Sequence, residues 1–170
     1  MLTLSEARRE AVVILSELSP VCERCEIAGS IRRRKPNVKD IEIVCIPRSR
    51  DLWGFADLVN RWEAIKGSPA GRYTQRRLPS GVILDLFMAD RVNYGTILLI
   101  RTGDADFSKH VAGLLLPEAG FRQRDGYVRK DGVIVPTPEE EDVFRLIGLP
   151  FIPPEDREGH AALSSARSGV

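Results

Sequence analysis

Three carboxylates and one basic turn carry the chemistry this chain could do. Asp40 and Glu42 sit two apart in the run Asp40-Ile-Glu-Ile-Val-Cys-Ile46, where acids alternate with aliphatic residues before the run turns wholly apolar. Side chains along a strand repeat every two residues, so both acids project from one face while Ile41 and Ile43 project from the other. Asp85 is the only charge in Val82-Ile-Leu-Asp-Leu-Phe87, a second strand-like run whose composition is that of a buried sheet. An acid inside such a strand is costly unless a cation or hydrogen bonds compensate. Magnesium suits the set, because it is hard, takes oxygen ligands and is usually held by one or two carboxylates together with phosphate. Three carboxylates would complete a two-metal site, with ions roughly 3.5–4 Å apart clamping the attacking and leaving oxygens of a phosphoryl displacement.

Upstream, Gly29-Ser30 forms a small-residue turn after Cys25-Glu-Ile-Ala28, and four consecutive cations, Arg32, Arg33, Arg34 and Lys35, follow Ile31. A glycine turn exposes backbone N–H groups, and an arginine fork matches phosphate oxygens. Spacing alone leaves a blander reading open, in which Asp40 and Glu42 are the polar face of a half-exposed strand and Asp85 marks a strand end. Taken together, however, Gly-Ser followed by Arg, then Asp-x-Glu on a strand, then a lone Asp on a later strand resembles the nucleotidyltransferase signature of the DNA polymerase X family, the beta-type repair polymerases. Two more segments carry the resemblance. Leu98-Leu-Ile-Arg-Thr-Gly103 is similar to the family's bend ending in Thr-Gly, and Phe144-Arg-Leu-Ile-Gly-Leu-Pro-Phe-Ile-Pro-Pro-Glu-Asp-Arg157 is similar to its closing motif.

The resemblance implies roles, residue by residue. Asp40, Glu42 and Asp85 would ligate two magnesium ions, with manganese as the substitute, and Asp85 would lie nearest the primer 3′-hydroxyl. Gly29, Ser30 and Arg33 would bind the β- and γ-phosphates of an incoming nucleoside triphosphate. Arg101, Gly103 and Asp106 would lie along the nucleotide, and 106–112 would be a helix facing the nascent base pair. The expected activity is DNA-directed DNA synthesis on a primer-template or gapped DNA, in short-gap repair. Departures from the family pattern carry expectations of their own. Glu42 replaces the usual Asp and reaches one methylene further; Ile100 and Arg101 replace aromatic residues before Thr-Gly, implying altered sugar discrimination; Ser108 and Ala112 replace minor-groove contacts, implying lower fidelity. The competing readings are a template-independent nucleotidyltransferase acting on RNA, protein or a small molecule, and a catalytically silent DNA-end-binding module.

The elements that must position these residues follow from periodicity and punctuation. An α+β fold is expected: a nucleotidyltransferase palm with a mixed or antiparallel sheet and flanking helices over 1–102, a small α/β thumb over 103–158, and a disordered tail over 159–170. Thr3 and Glu6 make a capping box for a helix to Leu18, with Leu4, Ala7, Ala11, Ile14, Leu15 and Leu18 as its apolar stripe. A second helix is expected from Asp51 to about Ile65, with Leu52, Phe55, Leu58, Val59 and Trp62 buried. Pro79-Ser80-Gly81 marks a hairpin between two β-type runs, the second carrying Asp85. Helices are expected over 93–100 and 106–116. Asp125-Gly126 and Asp131-Gly132 suggest a small meander. Thr137 is the expected cap of a last helix, with Pro138 and Glu140 completing its start.

Composition sets the outer bounds. A chain of 170 residues, 43% hydrophobic and 29% charged, is that of a globular protein of one domain or two small lobes, without room for added lyase or phosphoesterase domains. No apolar run approaches the ~18–20 residues that span a bilayer, and no signal peptide is evident, so a monomer without membrane attachment is expected. Three cysteines argue for a reducing compartment, expected to be the cytoplasm of a bacterial or phage-infected cell. The single Cys22-x-x-Cys25 lacks the second pair that structural zinc needs. A net charge of +1 is low for gripping long nucleic acid, but cations cluster at 32–35, at Arg72, Arg76 and Arg77, and at Arg122, Arg124, Arg129 and Lys130. Such clustering suits a small phosphate footprint, and equally the solvated face of a hairpin.

Overall fold

The computed structural model of the chain describes residues 1–169 and divides them at Asp90/Arg91 into two compact units. In the first, helix α1 (Leu4–Leu18) follows the two-residue strand β1 (Leu2–Thr3), and its capping box forms as the sequence predicts. The Thr3 hydroxyl accepts from the Glu6 amide, and Glu6 Oε2 accepts from the Thr3 amide at 2.8 Å. Ala7, Ala11, Ile14 and Leu18 are buried against a five-stranded sheet.

That sheet is built from β2 (Cys22–Ile27), β4 (Asp40–Pro47), β5 (Glu63–Gly67), β6 (Tyr73–Arg77) and β7 (Ile83–Met88), in the order β2-β4-β7-β6-β5. The short helix α2 (Gly29–Arg32) and strand β3 (Asn37–Val38) lie between β2 and β4. β4 and β7 run parallel and the other pairs antiparallel, giving a mixed sheet. Ile41, Ile43 and Cys45 pair with Leu84, Leu86 and Met88, and all six are buried in the core that α1 and α3 (Leu52–Val59) cover. α3 is shorter than predicted: it ends at Val59, and Glu63–Gly67, the far end of the expected helix, is the wholly exposed edge strand. Phe55, Leu58, Val59 and Trp62 are buried as expected, whereas Leu52 is exposed, because it opens the helix rather than sitting on its inward stripe.

The second unit begins with α4 (Tyr94–Thr102). The expected boundary after Thr102 moves back to Asp90 because α4 packs on α7 (Glu140–Leu146). A Cβ at Gly95 would fall 2.1 Å from the Glu139 carbonyl carbon, so only glycine permits this approach. Thr137, expected to cap α7, instead shares a buried hydroxyl hydrogen bond of 2.6 Å with Thr96, and Glu139 with Asp142 forms the capping box two residues later. The helix expected over 106–116 is interrupted. α5 (Ala105–His110) passes into a π turn, Val111–Leu115, before α6 (Leu116–Glu118), and Pro117 has no amide with which to continue an α ladder.

The meander forms as β8 (Arg122–Arg124), β9 (Tyr127–Lys130) and β10 (Val133–Val135), in the order β10-β9-β8. Both Asp-Gly turns place both residues at positive φ, the geometry of a two-residue hairpin loop. Arg157 is fully buried, with Nη1 donating to Glu140 Oε1 at 2.5 Å and Nε to the Ile152 carbonyl at 2.8 Å, between the rings of Phe144 and Phe151. The tail expected to be disordered from 159 is instead helix α8 (Ala161–Ser168), held because Leu163 supplies an apolar anchor, 2% exposed, to the second core; Val170 lies outside the described residues. No helix among the described residues is long and apolar enough to cross a membrane.

Candidate active site

The parallel pairing of β4 with β7 brings the predicted carboxylates to one face. Glu42 lies opposite Asp85 in register and Asp40 opposite Ile83, all on the side away from the α1 core. Asp85 is 8% exposed and survives there because donors surround it. The Tyr73 hydroxyl donates to its Oδ1 at 2.5 Å and Gln75 Nε2 donates to the same atom at 2.9 Å. Both donors come from β6, where Tyr73 and Gln75 pair with Phe87 and Asp85 and so share the site face. Sequence reasoning missed these two residues, although the alternation Tyr73-x-Gln75 within the predicted hairpin was the signal that could have found them.

Burial raises the carboxyl pKa of Asp40 above its ordinary value, and the negative charge of Asp85 raises it further. This is the signature of acids sharing space without a counter-ion. Glu42 takes another direction. Its carboxylate lies over the α-carbon of Gly29, so that a Cβ built there would fall 1.6 Å from Glu42 Oε2. Gly29 also stands at φ +58°, and the amide of Ala28 donates to the Glu42 carbonyl at 2.8 Å, which ties the turn to β4. The extra methylene of Glu42 thus carries its carboxylate against the Gly29-Ser30 turn. Ser30 is half-buried within α2, and its carbonyl accepts from the Lys35 amide at 3.0 Å. Arg33 is half-buried at the C-cap of the same helix, with its amide bonded to the Gly29 carbonyl.

The candidate ligand atoms of Asp40, Glu42 and Asp85 are all carboxylate oxygens, and the mutual repulsion of Asp40 and Asp85 is what a hard divalent cation relieves, so the residues fit magnesium by chemistry. They are not gathered in advance: among the described residues no group of three or more acids, histidines or cysteines is already arranged to hold a metal. The remaining predicted residues belong to the second unit. Arg101 is exposed near the end of α4. Gly103 caps that helix, and a Cβ there would fall 2.4 Å from the Phe107 ring. Asp106 has its Oδ2 engaged by the backbone amide of His160 and by His160 Nδ1, both at 2.8 Å, and these bonds lower its pKa. Ser108 is buried and donates its hydroxyl to the Ile100 carbonyl at 2.8 Å. Of the four cations clustered in the sequence at 122–130, Arg122, Arg124 and Arg129 line a cavity of about 630 Å³ together with Asp131, and Lys130 is not in its lining.

Two comparisons with known proteins bear on the chain. Residues 97–158 match the family model described as DNA polymerase beta thumb. DNA polymerase lambda of Rattus norvegicus is 31% identical over 165 aligned residues, covering 79% of this chain and 28% of that protein. The chain therefore spans less than a third of the length of this curated relative. The chain is thus similar to DNA polymerase lambda over 79% of its own length, and its residues 97–158 are similar to the DNA polymerase beta thumb.

Proposed function

We propose that this chain is a nucleotidyltransferase that adds deoxynucleotides to a primer 3′-hydroxyl on gapped or primer-template DNA, in short-gap repair. The observation that carries the reading is the shared face of Asp40, Glu42 and Asp85 across the β4–β7 pair, with Tyr73 and Gln75 orienting Asp85. The three carboxylates would hold two magnesium ions, or manganese in their place. Such ions, once bound, supply charge that lowers the pKa of the primer hydroxyl and neutralises the departing pyrophosphate.

The chain's own groups do the positioning. Tyr73 and Gln75 both bond Oδ1 of Asp85, which leaves Oδ2 for the reacting end of the primer. The Gly29-Ser30 backbone and Arg33 take the outer phosphates of the triphosphate, where Glu42 marks the inner edge of the turn. Within the second unit Asp106, held by His160, would contribute position rather than a ligand contact. Arg122, Arg124 and Arg129 receive strand phosphates.

Primer extension on a one-nucleotide gapped duplex, with and without magnesium, tests the reading. Templated incorporation that Asp85→Ala abolishes, with its circular dichroism unchanged, is the expected result. Labelling of RNA or protein in place of the primer would transfer the chemistry to a different acceptor, and binding of DNA ends without incorporation would remove it.

A further inference from the structure

The two histidines of the chain, fifty residues apart in sequence, lie face to face in the second unit. The rings of His110 and His160 have centroids 5.4 Å apart and planes inclined by 23°. His160 Nδ1 and its backbone amide both bond Asp106 Oδ2 at 2.8 Å. The preceding amide, Gly159, donates to Asp104 Oδ2 at 3.1 Å, while Asp104 Oδ1 caps α5 through the Phe107 amide at 2.8 Å. Two consecutive amides and one imidazole of the 159–160 turn are therefore fastened to the two carboxylates that begin α5. Beyond the turn, Leu163 is buried and Arg167 pairs with Glu118 at 3.3 Å. The thumb match ends at residue 158, so this fastened helix lies outside the matched segment.

We propose that His160 is a positioning residue, and that its protonation controls how firmly α8 holds the start of α5, forming a pH-sensitive latch. A charged imidazole makes a charge-assisted bond to Asp106, and deprotonation reduces it to a neutral one. The charged groups around the ring are Asp106 and His110. Lys109 and Asp104 lie on α5 and its cap, Glu158 precedes the turn, Arg157 is committed to Glu140, and Arg167 to Glu118. His110 opposes the latch when both rings are charged, since two stacked imidazolium groups repel.

His160 lowers the pKa of Asp106, so that contribution is present above the ordinary carboxylate range and is lost as pH falls through the lowered value. The charge-assisted form of the bond needs the protonated ring, and the neutral ring leaves only the weaker form. That α5 faces a nascent base pair rests on the proposed function; the latch itself does not.

The test therefore uses the free chain of 170 residues and no substrate. Amide hydrogen exchange of α8, corrected for intrinsic rates, is followed by NMR from pH 5.5 to pH 8.5 alongside the two histidine ring signals. Protection of α8 is expected to fall about two- to fivefold as the His160 signal titrates, the range an exposed ion pair supports. His160→Gln keeps the backbone bond and should show a flat profile, as should Asp106→Asn, which serves if the first variant loses α8 altogether. A wild-type profile without pH dependence, or the same dependence in both variants, would overturn the proposal. Loss of polymerase activity at every pH would count against the proposed function and leave this result standing.

Discussion

Asp40 is held in a position that costs the free protein stability. Its pKa is raised, so its carboxylate is least penalised at low pH and the penalty grows as pH rises through the raised value. Asp40→Asn is accordingly expected to raise the melting temperature of the metal-free protein at pH 7.5 while abolishing incorporation. Adding magnesium should raise the melting temperature of the wild type and not of the variant. Tyr73 makes the opposite case, a neutral group whose effect is felt through Asp85. Removing one hydrogen bond to a charged acceptor is worth about 1.5–3 kcal/mol. Tyr73→Phe should therefore lower kcat about ten- to a hundredfold with little change in the nucleotide KM, read in steady-state extension assays. At Gly29 backbone and side chain coincide, because its φ of +58° disfavours any Cβ and the Glu42 carboxylate already occupies that space. The left-handed conformation alone costs an L-residue about 1–2 kcal/mol. Gly29→Ala should lower stability to urea by at least that much, and Glu42→Ala in the same chain should recover part of the loss.

At the scale of elements, the strand pairing that aligns the acids also decides which of their neighbours are buried. Ile41 and Ile43 anchor β4 in the core, and a one-residue slip against β7 would turn Asp40 and Glu42 into it. Register is thus enforced by the hydrophobic face and used by the polar one. In the second unit the corresponding anchor is ionic. Arg157 joins the closing segment to α7 through Glu140, and both side chains are nearly inaccessible. Removing one partner of such a pair leaves a buried charge and costs about 3–5 kcal/mol. Arg157→Ala is expected to lose that much in denaturant titrations, while a double replacement of Arg157 and Glu140 by apolar residues should lose less. The two Asp-Gly turns serve the thumb cavity by holding Arg122, Arg124 and Arg129 on one short meander.

For the whole molecule, a net charge of +1 conceals an uneven distribution. On the proposed function, affinity for DNA should come from few phosphate contacts and fall correspondingly gently with salt. Each phosphate contact contributes about 0.9 to the slope of log K against log salt on duplex DNA. Replacing Arg122, Arg124 and Arg129 together by Gln should reduce that slope by about two to three, measured by fluorescence anisotropy between 50 and 200 mM salt.

What could be read from sequence was whatever local chemistry dictates. The α1 capping box, the two Asp-Gly turns and the alternation of β4 all depend on residues within a few positions of one another, and each appears as expected. The resemblance to the X family was legible because its motifs are short and chemically constrained. Tertiary structure decided what depends on residues distant in sequence. Thr137 left its expected cap to meet Thr96, the helix expected to run to Ile65 gave up its end to an edge strand, and the tail became a helix because Leu163 found a core. Tyr73 and Gln75 became partners of Asp85, and His160 of Asp106, for the same reason. A side chain's partner across a sheet or between helices is set by packing, and no local periodicity records it.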